Sequence, residues 1–131
     1  SHFVNANGLQ DENHYTTAYD LYLIFQAAMK YDDFMEILQT PEYEASYQAA
    51  DGTAVSAVWK STNQFTAGNT AVPEGVSAVG GKTGTTTAAR SCLVQLFTDA
   101  QGQRYVAIIL GCKERAILYE EMLSFLSNLN N

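Results

Sequence analysis

Two apolar runs near the end of the chain, SCLVQLFT at 91–98 and RYVAIILG at 104–111, constrain its fold more than any other feature. Both have strand length and strand composition. The residues between them, DAQGQ, supply turn chemistry, so the pair is predicted to form an antiparallel hairpin. Neither run alternates apolar with polar residues, as a sheet with one wet face would. The sheet is therefore expected to be covered on both sides.

The covering layers are predicted elsewhere in the chain. Thr17 stands three residues before Asp20, a capping-box spacing. Leu21, Ile24, Phe25 and Ala28 then follow at helical intervals, which predicts an amphipathic helix to about Tyr31. Asp32 is placed to cap a second short helix with Phe34, Ile37 and Leu38 on its apolar face, stopped by Pro41. KERAILYEEMLSFLSNL closes the chain as a third helix, with Leu118, Met122, Phe125 and Leu129 as its buried stripe. Between the second helix and the sheet, Tyr43, Ala45 and Tyr47 alternate with polar residues, as do Val55, Ala57 and Trp59. Asp51-Gly52 between these stretches is a strong hairpin signal. Residues 61–75 are predicted to be a polar connection, and SAVGGKTG a further strand.

With 131 residues, 47% hydrophobic and 16% charged, the chain has the length and composition of one globular domain. It carries 7 Lys and Arg against 14 Asp and Glu, a formal net charge of −7. That balance argues against nucleic acid and anionic membrane as partners, since both require clustered cations. No apolar run approaches the ~20 residues that span a bilayer. No cationic, apolar leader is present and the first residue is not Met, so a mature product or an excised piece is expected. Cys92 and Cys112 are too few for a disulfide scaffold and are expected to be small buried hydrophobes. With only two histidines, no cluster has metal-ligand spacing, and neither a metal nor another cofactor is expected.

Against this acidic background, Gly75 to Thr98 contains no Asp or Glu. The centre of that stretch, VGGKTGTTTAARSC at 79–92, combines Lys82 and Arg90 with four threonines and three glycines. Glycines at 80, 81 and 84 let another molecule approach the backbone. A strand edge there can pair with an extended peptide. The hydroxyls of Thr83, Thr85 and Thr86 can donate to a carboxylate, and Lys82 adds charge. A phosphate loop does not fit, because the G-x-x-x-x-G-K-[ST] spacing is absent. By itself, Lys82-Thr83-Gly84 is also compatible with a glycine- and threonine-rich strand bearing a solvated lysine.

The tripeptide stands in an ordered set. FVNANGL at 3–9, HYTTAYDL at 14–21, PEY at 41–43, STNQF at 61–65, GGKTGTTTAARSCLV at 80–94 and ILGCKERAILYEEMLSFL at 109–126 follow one another. This set resembles the second half of the catalytic domain of serine-type D-alanyl-D-alanine carboxypeptidases, the low-molecular-mass penicillin-binding proteins. That superfamily carries S-x-x-K, S-x-N and K-T-G motifs. The resemblance implies an α/β (α+β) fragment of the penicillin-recognising, β-lactamase-like fold. Residues 1 to about 75 would form the helical side and its connecting hairpin. Residues 76–131 would form the K-T-G strand, the hairpin and the C-terminal helix.

The resemblance also implies roles. Lys82 would supply positive charge to the S-x-N serine and to the substrate's terminal carboxylate. Thr83 and Thr85 would offer hydroxyls near that carboxylate, Gly84 and Thr86 would also bind substrate, and the Thr85 backbone N–H would be one of two oxyanion donors. Arg115, with Arg90 behind it, would assist carboxylate recognition. The partners implied are the peptidoglycan pentapeptide and β-lactams, met outside the cytoplasmic membrane. No serine of this chain has lysine three residues later, so the nucleophile is absent. Ser61-Thr62-Asn63 matches S-x-N only formally, at a position where the family carries a structural T-N. The chain alone is thus expected to be inactive. It is expected to require its missing N-terminal half, or to self-associate through the strand at 104–111. A non-catalytic peptide- or partner-binding module and a β-lactamase-related fragment are the alternatives.

Overall fold

The computed structural model describes residues 1–129. Three helices and five strands follow in the order α1 (Ala18–Ala28), α2 (Asp32–Gln39), β1 (Glu42–Gln48), β2 (Ala54–Lys60), β3 (Ser77–Thr86), β4 (Arg90–Thr98), β5 (Arg104–Cys112) and α3 (Arg115–Leu129). β1 and β2 form a two-stranded hairpin. β3, β4 and β5 form a separate antiparallel sheet in that order, so β4 is central and β3 and β5 are its edges.

The sheet is covered on both faces, as the non-alternating runs require. On one face Leu93, Phe97 and Ile109 pack with Leu118, Met122 and Leu126 of α3. On the other, Val94 and Leu96 pack with Phe25 of α1 and Leu38 of α2. Cross-strand pairing fixes the alternation: Leu93 lies opposite Ile109 and Val94 opposite Ile108, so one residue of register would exchange the two cores. The connection at 61–76 is not merely polar. Its Phe65 and Val76 enter the α3 core, with Phe65 edge-on to Phe97 and Tyr119.

The Thr17 hydroxyl accepts the Asp20 N–H at 3.1 Å, the expected N-cap of α1. Other details depart from sequence expectation. α1 ends at Ala28, and Tyr31 rather than Asp32 is the N-cap residue of α2, without a side-chain cap. Ile24, Ile37 and Phe125 lie on the solvent side of their helices, the last with Tyr119 and Leu126 taking its expected place in the core. Against the three-stranded sheet α1 buries Phe25 and α2 buries Leu38, whereas α3 buries Leu118, Tyr119, Met122 and Leu126. The side chain of Leu129 lies outside the described residues. Cys92 and Cys112 are half-buried rather than buried. The Cys92 sulfur lies in the strand-end network, accepting the Gly111 N–H at 3.4 Å.

Candidate active site

β3 pairs with β4 on one side only, so alternate backbone N–H and C=O groups along its other side have no ladder partner. Pairing of Gly80 with Leu96 and of Lys82 with Val94 turns those positions toward the α1–α2 face. Gly81 and Thr83, opposite Gln95 and Leu93, turn toward the α3 face. An open cavity of about 670 Å³ lies at this edge, with Gly81, Lys82 and Thr83 in its wall. α2 contributes Phe34, Ile37 and Leu38, the hairpin contributes Tyr43 and Trp59, and the loop at 61–63 completes the lining.

The two glycines before Lys82 let its strand sit this deep. A Cβ on Gly80 would stand 2.7 Å from the Leu38 carbonyl oxygen, and one on Gly81 would meet Asn63 Nδ2 at 2.9 Å. Behind Gly81 lies a buried polar pair: Asn63 Nδ2 donates to Gln95 Oε1 at 2.7 Å, and Asn63 Oδ1 accepts the Phe65 N–H at 3.1 Å. Both side chains are almost fully enclosed, so neither has water as an alternative partner. One residue away, the Thr62 and Thr83 hydroxyls share a hydrogen bond of 2.6 Å. The loop at 61–63 is thereby fastened to the lysine-bearing strand at two points.

Of the residues expected at the site, Lys82 and Thr83 line the cavity. The exposed Lys82 ammonium donates to the Thr83 carbonyl oxygen. Gly84, Thr85 and Thr86 continue the same strand beyond the cavity. Thr86 Oγ1 donates to Gln10 Oε1 at 2.8 Å, which brings the N-terminal loop to the strand end. Arg115 is the exposed first residue of α3 and is not in the cavity wall. Arg90 stands directly across from Thr86 with φ 60°, closer to the strand in register than Arg115. Sequence patterns gave no signal for Gln95, which interrupts an apolar strand, or for the part played by Tyr43, Trp59 and Ile37. Asn63 was legible only as part of STNQF.

The edge strand presents lysine and threonines to open space, backed by helices on both faces of its sheet, and by its similarity to solved structures the molecule has the penicillin-recognising fold. The family model described as D-alanyl-D-alanine carboxypeptidase matches residues 1–114, and the chain belongs to that family. Two solved structures are similar. One is an arginine-to-leucine mutant of the Streptomyces K15 DD-transpeptidase, at TM-score 0.82 and 26% identity, with 97% of this chain and 46% of that one covered. The other is a serine-to-alanine mutant of the same enzyme, at TM-score 0.73 and 29% identity, with 87% and 42% covered. This chain thus spans about half the length of the solved structures it matches. No curated protein matches it significantly.

Proposed function

We propose that this chain is the K-T-G half of a serine D-Ala-D-Ala carboxypeptidase that trims the terminal D-Ala from peptidoglycan stem peptides outside the cytoplasmic membrane. The observation that carries the reading is Lys82-Thr83 in the wall of a cavity at an unpaired strand edge, in a chain of that family. The free edge of β3 suits the addition of an extended peptide. The Lys82 ammonium offers charge to the terminal carboxylate and to the proton network of the nucleophile. Thr83, Gly84 and Thr86 border the carboxylate, and Arg115 or Arg90 approaches it from the strand end. The Thr85 N–H is one oxyanion donor.

The serine that attacks the penultimate D-Ala carbonyl, expels the terminal D-Ala and is released by water comes from outside this chain, which has no S-x-x-K. The same serine is the target of penicillin. The chain by itself is then inert: incubation with a fluorescent penicillin leaves its intact mass unchanged, and a stoichiometric adduct on any of its serines overturns the reading. The reading frame upstream of Ser1 is the direct check, with an S-x-x-K about a hundred residues earlier as the expected result. In the complete enzyme, Lys82→Ala lowers the acylation rate by ~10²–10³ while leaving the fold intact. Lys82→Arg does not fully restore it, because a planar guanidinium does not replace a compact ammonium. Acylation of Lys82→Ala at the parental rate refutes the assignment.

The other edge of the sheet is the seam to the remainder of the domain. β5 has a partner on one side only, yet its residues from Tyr105 to Leu110 are all at least partly buried. Such an edge is a template for pairing. Its occupant is the missing half or, failing that, a second copy of the chain. A non-catalytic module that binds a peptide along β3 is the second reading, favoured by the absent S-x-x-K alone.

A further inference from the structure

The face of the β1–β2 hairpin on the cavity side is made of aromatic rings laid over small residues. Tyr43, Tyr47 and Trp59 alternate with Ala45 and Ala57 on this face, and Ala45 is buried beneath them. The Trp59 ring lies 6.3 Å from Tyr43 and 6.2 Å from Tyr47, so the three form one continuous row. Yet the rings remain open to solvent, at 60% for Tyr43, 47% for Tyr47 and 58% for Trp59. Neither the two phenol hydroxyls nor the indole N–H has a hydrogen-bond partner among the described residues. The row begins in the wall of the Lys82 cavity, which Tyr43 and Trp59 share, and runs away from it toward the hairpin turn.

We infer that this row is a carbohydrate platform that holds the glycan carrying the stem peptide; the inference rests on the carboxypeptidase reading and extends it. A pyranose ring presents an apolar C–H face, which stacks on the electron-rich faces of Trp and Tyr. Its hydroxyl and N-acetyl groups meet the free phenol and indole tips. The reach also fits. Thr62, hydrogen-bonded to Thr83 at the strand edge, lies three residues from Trp59, at most about 10 Å. Four further strand residues, about 13 Å, lead to Val55 opposite Tyr47. The row therefore extends to at most about 23 Å from the edge where the D-Ala end docks. An extended five-residue peptide spans up to about 17 Å. A sugar at its far end is within reach of the row.

Trp59 is the single tryptophan of the chain, so its emission reports on the platform without a label. Titration with a β-1,4-linked tetramer of N-acetylglucosamine is expected to shift and saturate this emission, with half-saturation on the order of 1 mM. The free pentapeptide without sugar reaches only the cavity end of the row, so any shift it causes is not weakened by Tyr47→Ala. Tyr47→Ala weakens the sugar effect by about 3- to 10-fold, whereas Tyr47→Phe, which keeps the ring, retains most of it. Three results overturn the inference. One is no saturable change up to about 10 mM, ten times the expected midpoint. The second is a change that Tyr47→Ala leaves undiminished. The third is emission that depends on protein concentration without sugar, which would place a second copy on this face. The titration involves no acylation, so its failure is distinguishable from failure of the Lys82 assignment.

Discussion

Gly81 has no room for a methyl group. The atoms that a Cβ would overlap include the Val94 backbone carbonyl and the enclosed Gln95 and Asn63 amides, none of which can retreat without breaking a hydrogen bond or the strand pairing. Gly81→Ala should therefore cost ~1–3 kcal/mol, read as a lower denaturation midpoint at unchanged m-value. Gly84, whose nearest side-chain atom would be Cys92 Cβ at 4.0 Å, should tolerate the same change far better. Equal costs at the two positions would show that the strand has more freedom than the packing allows. At the β4–β5 turn, Asp99 behaves differently from a solvated carboxylate. Partial burial disfavours its charge, but the Gln103 N–H, the Tyr105 hydroxyl and the Gln101 N–H outweigh that and hold its pKa below the usual value. A lowered folded pKa stabilises the fold above the unfolded value of about 3.9, and the contribution disappears as pH falls through the folded pKa. Asp99→Ala should thus lower Tm at neutral pH and approach the parent once both are well below that range. A gap of the same size at both extremes would rule the turn out as the cause.

Among elements, the loop at 61–63 does more than its length suggests, because it ties the hairpin to β3. Asn63→Ala leaves the Gln95 carbonyl oxygen enclosed without its donor, at a cost of ~1–3 kcal/mol. A double-mutant cycle with Gln95→Leu should show coupling, since removing both partners is cheaper than removing one; strict additivity would mean that the two amides are independent. At the start of α1, Thr17→Ala should cost ~1 kcal/mol and Thr17→Ser nearly nothing, as measured by thermal unfolding. The element boundaries were largely visible in sequence, because turn signals at Asp51-Gly52 and around DAQGQ are local chemistry. Which residue of each helix is buried was less visible. Ile24 and Ile37 satisfy the helical period, but a three-stranded sheet offers a strip too narrow to cover them.

At the scale of the molecule, two cores on opposite faces of one narrow sheet leave considerable apolar surface at the periphery, with Ile37 76% exposed and Phe125 50% exposed. Among the described residues, the outward backbone groups of β5 have no strand beside them. Hydrogen exchange should therefore be fast at alternate amides of 104–112 in a dilute monomer and slow throughout β4. At micromolar concentration the chain should sediment as an assembly, with those β5 amides newly protected. A clean 14.3 kDa monomer with well-protected amides at 104–111 would sink the proposed seam.

The sequence by itself determined the sheet and its double cover, because runs such as SCLVQLFT bury both of their faces whichever helices arrive. It also determined that Lys82 sits on a carboxylate-free, glycine-flanked strand, since charge and backbone freedom are properties of the residues. Only the tertiary structure decided what surrounds that lysine. The contact of Thr62 with Thr83 spans 21 positions, that of Asn63 with Gln95 32, and that of Gln10 with Thr86 76. No local pattern encodes such separations. The same holds for Tyr43, Tyr47 and Trp59: alternation placed them on one face, but whether that face would be core or open cavity wall depended on where the hairpin came to rest against α2 and β3.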